Sequence, residues 1–239
     1  MRVGIMQPYF LPYIGYWQLM NAVDKYVIYD DVTFIKGGWI NRNRILVNSQ
    51  PVYFNISLIG ASPNTLIQDI EVHFDARMMK RRLKTLEMAY KKAPYYPQVF
   101  PMAEEILTYE EKKLVPYLMH SFEVICEYLD IRTEFVVSSA MVKSPGLKGQ
   151  ERVLDICERL GATEYYNAIG GQKLYEFEPF RKRGIELKFL KTEDIRYMQL
   201  KHDFVPSLSI LDVMMFNSKE EMYQMLQKYS LLGEYDKED

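Results

Sequence analysis

The chain opens on an apolar run, residues 2–6, too short for a helix, and reads as a buried strand. Gln7-Pro8-Tyr9-Phe10-Leu11-Pro12 follows, and its two prolines exclude a helix interior. Residues 14–23 show helical spacing, with Ile14, Trp17, Leu19 and Met20 able to share an apolar side. Lys25-Tyr26-Val27-Ile28-Tyr29 predicts a second strand ending on Asp30-Asp31. Strand, loop, helix and strand together span roughly thirty residues, the size of a βαβ element. Such an element gathers its loops at the carboxyl ends of the strands, where ligands bind.

Beyond it, residues 32–58 are rich in β-formers, and 44–47 with 52–58 predict a hairpin around Asn48-Ser49-Gln50. Residues 70–74 predict another short strand. Residues 75–129 read as helical: Met78, Leu83, Leu86 and Tyr90 recur at helical spacing, Ala93-Pro94-Tyr95-Tyr96-Pro97 interrupts, and 110–128 forms an amphipathic segment with Pro116 near its first turns. Strands are predicted at 133–138, 165–168 and 185–190. Helices are predicted at 150–160, closed by Gly161, at 172–183, ended by Gly184, and at 209–216 and 219–229. Residues 141–149 read as a loop and the acidic tail 234–239 as frayed. The pattern predicts an α/β fold: a single domain over 1–239, with a mainly parallel Rossmann-like sheet, helices on both faces, and a helical insert or lid over 75–129.

Composition narrows the function classes. The chain has 239 residues, 48% of them hydrophobic, enough for a sizeable core. The formal net charge of -2, with both signs interleaved, lacks the basic surplus of a nucleic-acid binder. Cys126 and Cys157 fall on helical segments and read as buried free thiols of a reducing compartment. No cysteine or histidine spacing suggests zinc, so no metal site is expected. His73, His120 and His202 lie far apart and read as surface or core residues. The start lacks a signal-peptide pattern and no run approaches the ~18 apolar residues of a membrane span, so the cytoplasm is the expected location.

Four segments hold residues suited to chemistry. In the first, residues 7–16, a strand-to-helix loop offers backbone N–H groups to an anion. Gln7, Tyr9, Tyr13 and Tyr16 add polar and stacking surfaces, and Gly15 allows close approach. The competing reading is a proline-bounded connector with aromatics on the core, and spacing weighs the two evenly. The loop matches neither Gly-x-Gly-x-x-Gly nor a Walker A cradle. The second segment, Asp30-Asp31, sits where acids hold a ribose, an amine or a metal; alternation lets only one of them face a site, and a solvated turn is the plainer reading.

The third segment joins Gly37-Gly38 to Trp39, Asn41, Arg42, Asn43 and Arg44. On an extended strand Arg42 and Arg44 share one face, Asn41 and Asn43 the other, and arginine grips carboxylate or phosphate bidentately. The plain alternative is a hairpin with charged outer residues. The fourth, Asn167-Ala168-Ile169-Gly170-Gly171-Gln172, is again a strand-to-helix loop or a tight turn that needs glycine. Gln199, Ser207 and Asp212 are expected to pack against the N-terminal loop and complete a pocket in which Gln7, Tyr9, Asp30, Asn41 and Arg42 converge. Ser207 also reads as a plain N-cap. His202 lies near Ser207 and Ser209 only in sequence, which assigns no triad.

In this order, Met6-Gln7-Pro8-Tyr9-Phe10-Leu11-Pro12, Gly15-Tyr16, Tyr29-Asp30-Asp31, Trp39-Ile40-Asn41-Arg42-Asn43, Lys92-Ala93-Pro94, Tyr197-Met198-Gln199 and residues 204–212 resemble the WbqC-like protein family over nearly the whole length. The resemblance implies a place in O-antigen or other surface-polysaccharide biosynthesis. It also implies a transferase that attaches glycine or another acyl group to an amino sugar or nucleotide sugar. Its partners would be an activated sugar or glycan precursor and an acyl donor; it names no cofactor. In that chemistry Asp30 or Asp31 accepts the proton of the sugar amine, while Arg42 and the first loop hold a diphosphate or oxyanion. The alternative is a non-catalytic glycan or nucleotide-sugar binding protein. A fainter similarity is to nucleotidyltransferases of the HIGH type, with Tyr13 and Tyr16 near the positions of the expected histidines.

Overall fold

A computed structural model describes residues 1–200 and 203–236. His202 and the tail residues 237–239 lie outside the described residues. In chain order the elements are β1 (Arg2–Met6), α1 (Ile14–Ala22), β2 (Lys25–Ile28), β3 (Arg42–Val47), β4 (Gln50–Asn55), β5 (Leu58–Ile59), β6 (Glu71–Val72), α2 (Ala76–Tyr90), α3 (Tyr96–Thr108), α4 (Leu114–Leu129), β7 (Glu134–Val137), α5 (Gly149–Leu160), β8 (Glu164–Ala168), α6 (Phe177–Lys182), β9 (Glu186–Thr192), α7 (Ile210–Phe216), α8 (Lys219–Leu226) and β10 (Tyr229–Leu232).

The fold is α/β with a mostly parallel central sheet in the order β10-β9-β8-β1-β2-β7. β1 pairs in parallel with β2 on one side and β8 on the other, and β2–β7 and β8–β9 are also parallel. The five strands expected to share the sheet do so. β10 joins antiparallel to β9 at the edge. From β1 the sheet therefore grows through β2 to β7, then returns to the other side of β1 for β8, β9 and β10. The reversal opens between β1 and β8.

Side chains alternate across each strand, and the two faces carry separate cores. Val3, Ile5, Val27, Tyr165, Leu187 and Phe189 meet α5 and α6 residues such as Leu154, Cys157 and Phe180. Tyr26, Ile28 and Tyr166 belong to the larger cluster, with Trp17 of α1, Phe122 of α4 and Met222 of α8. Trp17 is fully buried, donates from Nε1 to the Pro12 carbonyl at 3.0 Å, and meets the Phe122 ring edge-on at 5.7 Å. Buried Gln18 donates to the carbonyls of Met225 at 2.7 Å and Lys228 at 2.9 Å, tying α1 to the end of α8. Helices α2, α3 and α4 contribute Leu86, Val99, Ile106 and Leu118 to this same cluster. Cys126 and Cys157 are free and belong to different clusters, so the sheet stands between them.

Local chemistry sets most boundaries. Asp75 caps α2, accepting from the N–H groups of Arg77 and Met78. Gly161, at φ 70°, closes α5 in the left-handed conformation. Asn48 and Ser49 both take positive φ, the geometry that suits a two-residue hairpin turn, so β4 begins at Gln50 rather than at 52.

Four expectations change. The strand expected over 52–58 is split, because Leu58–Ile59 pairs with Glu71–Val72 instead of continuing the hairpin. The helix expected over 172–183 is a 3₁₀ segment, Ile169–Leu174, followed by α6; between them the Gln150 side-chain oxygen accepts from the Glu176 N–H at 2.6 Å. The last helix stops at Leu226, and Tyr229–Leu232 forms the edge strand. Ser209 caps α7, accepting from Leu211 N–H, while Ser207 lies two residues earlier at φ 57°.

Phe122 stands where α1, α4 and β7 meet, against Tyr16, Trp17 and Phe135. Phe122→Ala is expected to cost about 3–5 kcal/mol in urea unfolding. A loss below about 1 kcal/mol would remove this ring from the centre of the core.

Candidate functional site

A cleft of about 500 Å³ opens at the carboxyl ends of the central strands. β1 and the loop after it supply Met6, Gln7, Tyr9 and Tyr13; the end of β2 supplies Tyr29; β8 and the 3₁₀ segment supply Asn167, Gly170, Gly171 and Tyr175; Trp39 closes one side. Of these, β1 and β8 flank the reversal of strand order, the usual binding crevice of a parallel sheet. A second lobe of about 160 Å³ shares Tyr9, Tyr13 and Trp39 and adds Pro12, Asn43, Arg44 and Ser207.

The frame of both lobes is the loop 7–12. Its prolines donate nothing, but its carbonyls accept from three directions. The Tyr16 hydroxyl reaches Gln7 O at 2.8 Å, Ser209 Oγ reaches Leu11 O at 2.9 Å, and Ile210 N reaches Pro12 O at 2.9 Å. Phe10 N–H donates to Trp39 O at 3.0 Å, which fixes the Trp39 backbone over the loop. Leu11 is held at φ 45°, a left-handed conformation unusual for a side chain of this size.

The lining is aromatic and uncharged in the larger lobe. Burial raises the Tyr9 hydroxyl above its ordinary value, helped by Tyr13. Burial raises Tyr13 as well. Tyr29 is pushed up to about 12 by burial, against the pull of Arg152. These phenols stay protonated near neutrality and act as hydrogen-bond donors, not bases. The side-chain oxygen of Gln7 is buried with no hydrogen-bond partner. Asn167 Nδ2 donates to the Tyr165 hydroxyl at 2.6 Å, and a Cβ at Gly171 would lie 2.3 Å from Asn167 Oδ1, so a larger residue there would displace the Asn167 side chain.

Of the residues singled out from the sequence, Gln7, Tyr9, Tyr13, Tyr16 and Trp39 line the larger lobe, and Asn43 and Ser207 the smaller. Tyr16 is only 2% exposed and is chiefly a wall. The others are placed elsewhere. Asp30 is buried and accepts from Ser139 N at 2.9 Å and Ser139 Oγ at 2.6 Å. Asp31 is paired with Lys143 and Arg152 and accepts from Ser138 Oγ at 2.7 Å. Neither carboxylate lines a lobe, because both latch the end of β2 to the segment after β7.

Asn41 donates to Ile56 O at 3.0 Å, and Arg42 donates to the Gly37 and Gly38 carbonyls while lying over Tyr53. Gly15 serves packing: a Cβ there would stand 2.4 Å from Thr192 Oγ1 and 2.5 Å from the Tyr13 ring. Gln199 and Asp212 form a buried network, in which Asp212 accepts from Tyr90 at 2.8 Å, Tyr197 at 2.6 Å and Gln199 at 2.9 Å. The N-terminal loop and the region before α7 do pack together; Gln199 and Asp212 support that contact from behind. Arg44, which the strand pattern placed on one face with Arg42, lines the smaller lobe, while Tyr29 and Tyr175 are lining residues to which sequence reasoning gave no binding role, although Tyr29 closes the second strand run.

Among the described residues no group of histidine, cysteine or acidic side chains is arranged to hold a metal ion. No described helix is long and apolar enough to cross a membrane.

A family model described as the WbqC-like protein family matches residues 7–224. The chain belongs to this family. The matched span of the WbqC-like chain begins at Gln7, on the cleft, and runs into α8. An uncharacterized protein of Mycobacterium tuberculosis (strain ATCC 25618 / H37Rv), Rv1507c, is similar at 27% identity over 217 residues, covering 89% of this chain and 92% of the relative. No solved structure gives a significant match.

The Asp31 cluster yields a measurable pH dependence. Burial works against the charge on Asp31, but hydrogen bonds from Lys143 and Ser138 and the charges of Arg152 and Lys143 outweigh it and hold the carboxyl below its ordinary value of 3.8. The folded value lies below the unfolded one, so the stabilisation is complete above the unfolded value and is lost as pH falls through the folded one. Asp31→Asn is expected to cost about 3 kcal/mol at pH 7, because two cations lose their shared partner. It should also flatten the stability profile below pH 4. A variant as stable as the parent in pH-resolved urea unfolding would show that the pair contributes nothing.

Proposed function

We propose that this WbqC-like protein acts in surface-polysaccharide biosynthesis in the cytoplasm, holding an activated sugar in the cleft at the carboxyl ends of β1, β2 and β8. The strand order supports reading the sheet as Rossmann-like, with its crevice at the strand-order reversal. The observation that carries the proposal is the lining: stacking faces from Tyr9, Tyr13, Tyr29, Trp39 and Tyr175, with protonated phenols and two amide side chains among them. A sugar ring offers C–H faces to aromatics and hydroxyls to such donors and acceptors.

Acyl transfer to an amino sugar is the second reading, and the unpartnered Gln7 oxygen favours it. An amine N–H of the bound sugar is held toward that acceptor, facing an activated acyl donor of glycine or another acid; the amine nitrogen bonds the acyl carbon as the bond to the donor's activating group breaks and that group departs. In this reading Asp30 and Asp31 are positioning residues that fix the end of β2, and proton removal falls to the acceptor amine's other contacts or to solvent.

The chain has two tryptophans, Trp17 fully buried and Trp39 38% exposed on the cleft. Nucleotide sugars are expected to change the fluorescence of Trp39 and leave that of Trp17 unaltered. Trp39→Ala should weaken their binding by about 1–3 kcal/mol in calorimetry, the scale of a lost stacking contact. A panel of nucleotide sugars that leaves Trp39 unperturbed would end the proposal. Mass spectrometry of the surface glycan with and without the protein separates the two readings, since only acyl transfer adds an acyl mass.

A further inference from the structure

The smaller lobe differs from the larger in one respect: it contains a cation. Arg44 projects from β3 beside Ser207, its guanidinium 5.9 Å from the centre of the Trp39 ring. Other shielded cations here have acceptors that account for them. Lys143 and Arg152 are matched to Asp31, and Arg42 donates to the carbonyls of Gly37 and Gly38. Arg44 has no acidic partner among the described residues. Among the described residues its side chain makes one hydrogen bond, a long one of 3.3 Å from Nη2 to Ser207 O, and its Nε is buried with no acceptor. A guanidinium presents five N–H donors in a planar fork, so most of the donor capacity of Arg44 is unused.

The surrounding backbone is arranged for this lobe at some cost. Ser207 takes φ 57° and Leu11, next to Pro12, takes φ 45°. Strain of this kind persists where the surroundings over-determine it and clusters at binding sites. Here the surroundings are known: Ser209 N donates to the Arg44 carbonyl at 2.8 Å, and Ser209 Oγ donates to Leu11 O. The same serine locks both walls of the lobe.

We propose that the smaller lobe is an oxyanion subsite in which Arg44 receives the carboxylate or phosphate of a ligand whose ring lies in the larger lobe. This rests on the reading of the larger lobe as a sugar site. Because Tyr9, Tyr13 and Trp39 are common to both lobes, one ligand spans them with its ring against the aromatics and its anion at the guanidinium. Planar, bidentate recognition of carboxylate or phosphate is what distinguishes arginine from lysine. The subsite therefore selects acidic sugars or sugar phosphates over neutral sugars.

The test uses glucuronate, glucose 1-phosphate and neutral glucose as probes, followed by Trp39 fluorescence. Acetate and inorganic phosphate are followed by thermal shift at fixed ionic strength. At least one anionic sugar is expected to bind about ten-fold more tightly than glucose, and which of the two does so names the source of the oxyanion. Arg44→Gln should abolish the preference and Arg44→Lys should lose most of it. Arg132→Gln, which removes an exposed cation paired with Asp130, should keep it. Equal binding of charged and neutral sugars, or a preference that survives Arg44→Gln, overturns the subsite. If no sugar binds but acetate or phosphate protects the parent and not Arg44→Gln, the subsite stands and the sugar reading falls. If no probe separates the parent from Arg44→Gln, the subsite falls.

Discussion

The structure depends on how the loop 7–12 satisfies its backbone. A segment with two prolines has few N–H groups to offer, so its carbonyls must be met from outside. They are met by Tyr16 and Trp17 of α1 and by Ser209 and Ile210 at the start of α7, while Phe10 supplies the one donor that reaches Trp39. Through these bonds the first helix, the segment leading into the β3–β4 hairpin and a helix nearly two hundred residues away are set around the end of β1. The cleft is the space left between them.

Two shielded acids behind the cleft, Asp31 and Asp212, show different solutions to one problem. Asp31 keeps its charge because two cations and a serine surround it. Among the described residues Asp212 has no cationic partner; burial raises its value above the ordinary one, and Tyr197, Tyr90 and Gln199 supply the compensating hydrogen bonds. Neither reaches the cleft. Both stiffen elements that form its walls, and in this respect the charge chemistry of the protein lies behind the site and the aromatic chemistry within it.

Much of the sheet was legible from hydrophobic runs, because strands buried on both faces read as short apolar segments bounded by turn residues. Gly161 and the Pro-interrupted helical block were similarly plain. β10 was not, since Tyr229-Ser230-Leu231-Leu232 continues the apolar spacing of the helix before it, and only pairing with β9 decides its state. At the site, Gln7, Tyr9, Tyr13 and Trp39 followed from their place after a strand or beside a glycine pair. Strand alternation put Arg42 and Arg44 on one face but had no means to say which was already engaged. That depends on the Gly37-Gly38 turn folding back on Arg42, a tertiary fact. The acids Asp30 and Asp31 misled for a related reason: a strand's end marks where a residue sits and leaves open which neighbours will neutralise it.

The sheet ends on one side at β7 and on the other at β10, and each of these strands is only four residues long. A foreign strand seeking unpaired backbone would find a stub at either end. At the β7 side it would also meet the charges of Glu134 and its partner Lys25. Short, charged margins of this kind are how β-structure avoids growing by accretion. An architecture with wide parallel pairing inside and short strands at its margins leaves little unpaired backbone for a second chain to extend.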